Sequence, residues 1–307
     1  MKAPLLTYTW PWTEAELAPF LRPFSKKIRP RTQYVPYRST RQFEKALRET
    51  DALIVLLNHP ITARHLAQAP RLKVLGTYSV GMNHIDLDAC RAKKISVVNT
   101  PDVLTRATAE LALTLLLSVA RRIPEGEALC RNDRFRGWAP DLLLGLELQG
   151  RHAVLVGEGR IGQETAKLFQ ALGLTTEFIT RKTPATEIRR KLKRAQVLSL
   201  HCPPTPDTHH WLNEQRLRLL PPDAMVINTA RGEVIDEQAL ISCLKARRIF
   251  GAGLDVYEQE PKIPRSLRIL PNVVLAPHLG SATSHTRTEM RRLVFEGVIR
   301  QLLSAQE

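Results

Sequence analysis

Nine short apolar runs recur along the 307-residue chain, with helical spacing between most of them. They are ALIVLL (52–57), LKVLGTY (72–78), ISVVNT (95–100), HAVLVG (152–157), TEFIT (176–180), QVLSLH (196–201), AMVINTA (224–230), FGAGLDV (250–256) and NVVLAP (272–277). Helical patterns include TRATAELALTLLLSVARR (105–122), IGQETAKLFQALG (161–173) and DEQALISCLKARR (236–248). Strands that are apolar on both faces must be covered on both faces, and intervening helices supply the cover. The pattern predicts an α/β fold with two doubly wound parallel-sheet domains. One occupies roughly the first hundred residues and the other runs from about 100 to 280. The last helical stretch, SHTRTEMRRLVFEGVIRQLLS (284–304), has no strand after it and is expected to return to the first domain. The expected division is therefore 1–98 plus 284–307, and 99–283.

Composition narrows the class. The chain is 43% hydrophobic, without low-complexity tracts. Its longest apolar run, LALTLLLSVA (111–120), is too short to span a bilayer and is bounded by Glu110, Arg121 and Arg122. The N-terminal stretch lacks the apolar centre of a signal peptide. Cys90, Cys130, Cys202 and Cys243 are far apart and form no CxxC, which points to neither a disulfide framework nor a zinc site. A cytoplasmic protein with reduced thiols and no metal is expected. The net charge of +15 is concentrated in the first two thirds of the chain and attracts anions. There is no zinc-finger pattern, RNP-like aromatic run or basic tail. A small anionic substrate is expected, with neither nucleic acid nor membrane as partner.

The stretch HAVLVGEGRIGQETAKLFQALG (152–173) places Gly157, Gly159, Arg160, Ile161 and Gly162 between a buried strand and a helix. This is a dinucleotide fingerprint in the context it requires. The first glycine permits the turn, the second admits the pyrophosphate, and the third lets helix and strand pack closely. The helix N-terminus faces the anion. The next strand, TEFIT, ends in Thr180 followed by Arg181 and Lys182. An NAD site commonly carries Asp or Glu there for the ribose 2′-hydroxyl. A carboxylate would repel a 2′-phosphate, whereas a guanidinium grips it. NADP(H) is therefore expected over NAD(H). Arg189, Arg190, Lys191, Lys193 and Arg194 make this neighbourhood basic in any case.

Three further stretches end strands with chemistry. VINTARGEVIDEQAL (226–240) carries Arg231, GAGLDVYEQEP (251–261) carries Asp255 and Glu260, and VVLAPHLGSAT (273–283) carries His278. Each lies where an open α/β sheet builds its ligand crevice, at the carboxyl ends of strands. Hydride transfer to a 2-keto acid needs a cation for the carboxylate and carbonyl, an acid for the forming alkoxide, and a carboxylate to hold that acid charged. Arg, His and Glu suit these roles. Singly, each reads as well as a helix cap, a turn residue or a loop histidine.

With GEGRIG, LHCPPTPDT, INTARGEVID, GLDVYEQEP and APHLGSAT in this order, the chain resembles the D-isomer-specific 2-hydroxyacid dehydrogenases over nearly its whole length. The resemblance implies a Rossmann dinucleotide-binding domain and a flavodoxin-like substrate domain. It implies that Arg231 binds substrate, that His278 is the acid/base, and that Glu260 orients and charges it. It also implies that Asp255 and Thr108 approach the nicotinamide end, and that Pro203, Thr208, Thr229 and Ala230 line the cofactor groove. TYSVGMNHID (77–86) resembles the substrate loop, so the amides of Val80 and Gly81 would hold the carboxylate, with Leu57 nearby. RGWAPDLLLGLELQG (136–150) is most similar to the glyoxylate/hydroxypyruvate reductase branch, in which this arm reaches across a homodimer and the residue matching Trp138 approaches the neighbouring site. NADPH-dependent reduction of glyoxylate or hydroxypyruvate to the D-2-hydroxy acid follows as the expected activity. A dinucleotide-sensing co-repressor with little turnover is the alternative.

Four features depart from the family pattern. Glu158 takes a place that is usually apolar, Pro204 replaces a leucine, Asp102 stands where glycine is frequent, and the chain is short between Lys182 and Gln196. The last predicts a reduced element at that sheet edge.

Overall fold

The computed structural model describes residues 3–38 and 40–305. The outermost residues of the first domain as read from sequence, 1–2 and 306–307, lie outside the described residues. The chain forms two compact units, Met1–Val103 with Thr283–Glu307, and Leu104–Ala282.

The first unit contains β1 (Leu5–Tyr8), β2 (Arg31–Tyr34), β3 (Ala52–Val55), β4 (Val74–Thr77) and β5 (Ser96–Val98). They form one parallel sheet in the order β2-β1-β3-β4-β5. This is the flavodoxin-like order. β1, β3 and β4 are buried throughout. One face is covered by Phe43, Leu47, Leu66 and Leu72. The C-terminal helix Ser284–Ser304 belongs to this unit and presses on the sheet at Gly76. A Cβ there would come within 2.8 Å of Val298 and 2.9 Å of Val294. β1 and β2 are absent from the sequence reading, and β2 shows why: RTQY at a sheet edge is largely exposed and has no apolar run.

The second unit contains β6 (His152–Val156), β7 (Thr175–Ile179), β8 (Val197–Leu200), β9 (Met225–Asn228), β10 (Gly251–Leu254) and β11 (Val273–Leu275). All are parallel, in the order β11-β10-β9-β8-β6-β7. Helices Thr105–Ala120 and Arg160–Ala171 cover one face through Leu115, Leu116 and Phe169. Glu237–Lys245 helps to cover the other through Leu240 and Leu244. The strand order reverses between β6 and β8, and a ligand crevice opens at such a switch point. The usual third strand beyond β7 is missing among the described residues. From β7 the chain passes through helix Ala185–Leu192 straight to β8. Buried Lys191 takes over part of that strand's work, donating from Nζ to the edge carbonyl of Phe178 at 2.6 Å. A sheet edge left with free carbonyls invites wrong pairing, and lysine is a common guard against it.

Two histidines are packed neutral, one in each unit. His59 stacks on Tyr37 at 4.4 Å and bonds Thr9 Oγ1 at 2.8 Å. Burial and nearby Arg38 lower its pKa from 6.5 to about 4. His201, at the end of β8, lies beneath the glycine turn with Nε2 2.8 Å from Ser199 Oγ. Burial lowers its pKa from 6.5 to about 4 as well. Between these pH values the unfolded chain takes up protons that the folded chain refuses. Stability present above pH 6.5 is therefore lost as the pH falls toward 4. Urea unfolding from pH 7.5 to 4 is expected to show this fall. His201→Gln should flatten it by on the order of 2 kcal/mol; an unchanged slope would remove His201 from the explanation.

Candidate active site

The glycine turn leaves β6 at Gly157, whose φ of +105° favours glycine. A Cβ on Gly162 would lie 2.2 Å from the Gly157 carbonyl, so the helix starts against the turn. Gly159 faces open space instead, with nothing within 4 Å of where its Cβ would be. It is the N-cap of helix Arg160–Ala171 and supplies no side-chain cap. The first-turn amides and the helix dipole thus face an uncrowded opening, which fits a pyrophosphate. Nearby, Thr208 Oγ1 donates to the Pro203 carbonyl at 2.6 Å and ties the PPTPDT loop to itself. Thr229 Oγ1 is buried without a hydrogen-bond partner, a polar atom that a ligand could satisfy. Glu158, the unusual residue in the turn, is exposed.

At the end of β7 the chain closes a small turn. Thr180 N–H donates to Thr183 Oγ1 at 2.9 Å, and Lys182 N–H to Thr180 Oγ1 at 3.2 Å. Arg181 and Lys182 project from it exposed, and no carboxylate pairs with either among the described residues. Three of their five basic neighbours differ, Arg189 and Lys193 being likewise without a carboxylate partner among the described residues. Arg194 and Lys191 lie 2.8 and 3.6 Å from Glu177, and Lys191 and Arg190 lie 3.2 and 3.5 Å from Glu187. On the turn itself the unpaired charges are those of Arg181 and Lys182.

Beyond β9, β10 and β11 three turns meet. Asn228 ends β9 and fixes the first, accepting from Ala230 N–H at 3.0 Å and donating to the Arg231 carbonyl at 2.9 Å. Arg231 is extended (φ −149°, ψ 148°) and half-buried, with Nη1 donating to the Ala230 carbonyl at 2.7 Å. Burial pushes its pKa down against the opposing pull of Glu260 and Glu233, yet a guanidinium stays charged. Gly232 lets this turn touch the next: a Cβ there would lie 1.9 Å from the backbone carbon of Tyr257. Tyr257 N–H in turn donates to Glu260 Oε1 at 3.1 Å. The other carboxylate oxygen, Oε2, is 2.9 Å from His278 Nδ1. Burial raises the Glu260 pKa, but the His278 bond and charge, the Tyr257 amide and Arg231 outweigh it and hold the carboxyl below its usual range. An ionised carboxylate accepts from Nδ1–H and leaves Nε2 as the free face of the ring.

His278 itself has φ +56°, uncommon for a residue with a side chain. Asp255 holds it there. Its carboxylate accepts Leu279 N–H at 2.6 Å and Gly280 N–H at 2.8 Å, and its carbonyl accepts His278 N–H at 2.9 Å. Thr108 Oγ1 donates to the Gly280 carbonyl at 2.9 Å from helix Thr105–Ala120. Asp255 and Thr108, expected from the resemblance to face the nicotinamide, fasten the histidine loop.

In the first unit, Asn99 Nδ2 donates to the Val80 carbonyl at 2.9 Å and Ser79 Oγ to the Gly81 carbonyl at 2.6 Å. With the carbonyls pinned, the Val80 and Gly81 amides donate to no group among the described residues. Such an arrangement suits an anion. Leu57 is partly buried beyond β3. Asp102, found where the family favours glycine, has φ +72°, a conformation that Asp tolerates. Trp138 is 84% exposed, with Phe135, Leu142 and Leu144 also exposed on the same irregular arm of the second unit. Asn228, Gly232, Asn99 and Ser79 were not singled out in the sequence. Gly232 directly after Arg231 was the available signal.

The sequence profile described as D-isomer specific 2-hydroxyacid dehydrogenase, NAD binding domain, matches residues 113–280. A glyoxylate reductase of Thermococcus litoralis is 43% identical over 267 residues, covering 82% of this chain and 81% of the other. Among solved structures, the TT0316 protein of Thermus thermophilus has a TM-score of 0.89 and 39% identity, covering 97% of this chain and 96% of that one. An NADPH-dependent glyoxylate/hydroxypyruvate reductase of Sinorhizobium meliloti, in complex with NADP and malonate, has a TM-score of 0.82 and 30% identity, covering 96% of this chain and 92% of that one. A profile match over more than half the chain, and close relatives along most of its length, mean that the protein belongs to the D-isomer-specific 2-hydroxyacid dehydrogenase family of NAD(P)-dependent oxidoreductases.

Proposed function

We propose that the protein reduces a small 2-keto acid, glyoxylate or hydroxypyruvate, to the D-2-hydroxy acid, with NADP(H) preferred over NAD(H). The observation that carries this reading is the Glu260–His278 hydrogen bond with the Arg231 guanidinium within electrostatic reach. A bound nicotinamide cofactor supplies the hydride; the chain supplies the rest. Arg231 holds the substrate carboxylate and polarises the carbonyl. His278 gives its proton to the carbonyl oxygen as charge develops there. Glu260 keeps the ring oriented and balances the imidazolium. The Val80 and Gly81 amides are the first unit's own anion-binding group. The substrate range follows the names of the relatives, a glyoxylate reductase and a glyoxylate/hydroxypyruvate reductase.

The cofactor preference rests on Arg181 and Lys182, exposed and unpaired by carboxylates beside a turn of three hydroxyl- and amide-bearing residues. We assign the exposed apolar arm around Trp138 to a homodimer interface, and the four free cysteines agree with a cytoplasmic location. No helix among the described residues is long and apolar enough to cross a membrane.

His278→Ala should lower kcat by about 10²–10⁴ while NADPH binding, followed by fluorescence, is unchanged. Near-native turnover would refute the proton role. Arg231→Gln should lower kcat/KM by at least about 10² and raise KM, since both capture and polarisation are lost. An effect on cofactor binding alone would reassign the residue. Arg181→Ser with Lys182→Ser should raise the KM for NADPH roughly 10–100-fold and leave that for NADH nearly unchanged, the loss of one or two charge-assisted hydrogen bonds. Equal effects on both cofactors would place the 2′-phosphate elsewhere. Sedimentation should give a dimer that Trp138→Asp weakens; a wild-type monomer would count against the arm.

A further inference from the structure

Outside the Arg231–Glu260–His278 cluster, a second set of side chains converges on one point. His209 and His210 end the PPTPDTHH loop, and Glu258 comes from the turn after β10. One ligand atom from each, two imidazole nitrogens and a carboxylate oxygen, lie within 4.8 Å of one another. His210 Nε2 and Glu258 Oε1 are 2.8 Å apart, although 48 residues separate them in sequence. His210 is held in a left-handed backbone conformation, φ +48°, with its N–H donating to the Glu233 carbonyl at 2.8 Å. Its ring lies face to face with that of His209, at 4.0 Å between centroids and 25° between planes. Two consecutive imidazoles are thereby turned to the same side. His209 is exposed, so the cluster is open to solvent.

We propose that His209, His210 and Glu258 form a binding site for a borderline divalent cation of the zinc class. Two imidazoles and one carboxylate suit Zn²⁺, Co²⁺ or Ni²⁺, whereas Mg²⁺ and Ca²⁺ prefer all-oxygen shells. Bonds of about 2.0–2.2 Å in tetrahedral geometry place ligand atoms roughly 3.3 Å apart, so the set closes when the stacked rings rotate to bring their in-plane nitrogen lone pairs onto the ion. Water completes the shell on the exposed side. The ion would join the 205–211 loop to the turn that carries Glu260 two residues after Glu258. The cysteines, the usual sequence signal for zinc, take no part, so the sequence reading expected no metal.

The test is calorimetric titration of metal-free, tag-free protein with ZnCl₂, repeated with His209→Ala and Glu258→Gln. His209 is exposed, so its loss leaves the fold intact; circular dichroism checks both variants. The wild type should take up one Zn²⁺ per chain with micromolar affinity, and each variant should bind at least tenfold more weakly. Co²⁺ should give the visible absorption of a tetrahedral site in the wild type alone. No saturable binding in the wild type would overturn the proposal. Binding equally tight in His209→Ala would do the same, by placing the ion elsewhere, for example at the exposed Cys130 thiol.

Discussion

The Asp255 carboxylate, only 1% exposed, gives both oxygens to backbone amides of the loop that carries His278. Burying a carboxylate costs several kcal/mol, and hydrogen bonds to charged groups return about 1.5–3 kcal/mol each. Burial prevails in the direction of its pKa, which lies above the usual carboxylate value despite the two amides. The net result is geometric rather than stabilising. The bonds hold His278 in a conformation that a non-glycine residue rarely adopts. On the other side of the cluster, the Gly232–Tyr257 backbone contact holds the Arg231 turn against the Glu260 turn. Three strand ends separated in sequence thus deliver an arginine, a glutamate and a histidine to one place. Asp255 and Gly232, with the Tyr257 amide and Thr108, set the geometry of the Glu260–His278 pair.

Much of the second unit was legible in sequence because its strands are continuous apolar runs and its turns are marked by glycine. All nine runs became strands. β1 and β2 escaped for opposite reasons: LLTY is too short to stand out, and RTQY is an exposed edge. The short stretch between Lys182 and Gln196 indicated a reduced edge, and the sheet does stop at β7. The sequence could not indicate that Lys191 would cover the bare carbonyl. Nor could it show which atoms hold the site. Asn228, Asn99 and Ser79 are ordinary polar residues until the fold brings backbone carbonyls and amides to them. The His209–His210–Glu258 set was illegible for the same reason, since its members come from loops 48 residues apart.

The basic character of the chain also becomes more specific. At the β7 edge several cations are already engaged, with Glu177 facing His152, Lys191 and Arg194. Arg181 and Lys182, on the turn beside that edge, are left facing solvent. Exposed ion pairs contribute little to stability, about 0–1 kcal/mol each. Their effect here is on charge: Arg190, Lys191 and Arg194 are offset by Glu177 and Glu187, whereas Arg181 and Lys182 are not.

The most direct measurement is the initial rate of reduction of glyoxylate, hydroxypyruvate, pyruvate and a bulkier 2-keto acid, each with NADPH and with NADH. The account predicts turnover of glyoxylate and hydroxypyruvate, with kcat/KM at least about tenfold higher for NADPH, as one added charge-assisted hydrogen bond requires. Dinucleotide binding without turnover of any 2-keto acid would contradict the assigned chemistry and favour a sensing protein. Equal or better efficiency with NADH would contradict the role given to Arg181 and Lys182.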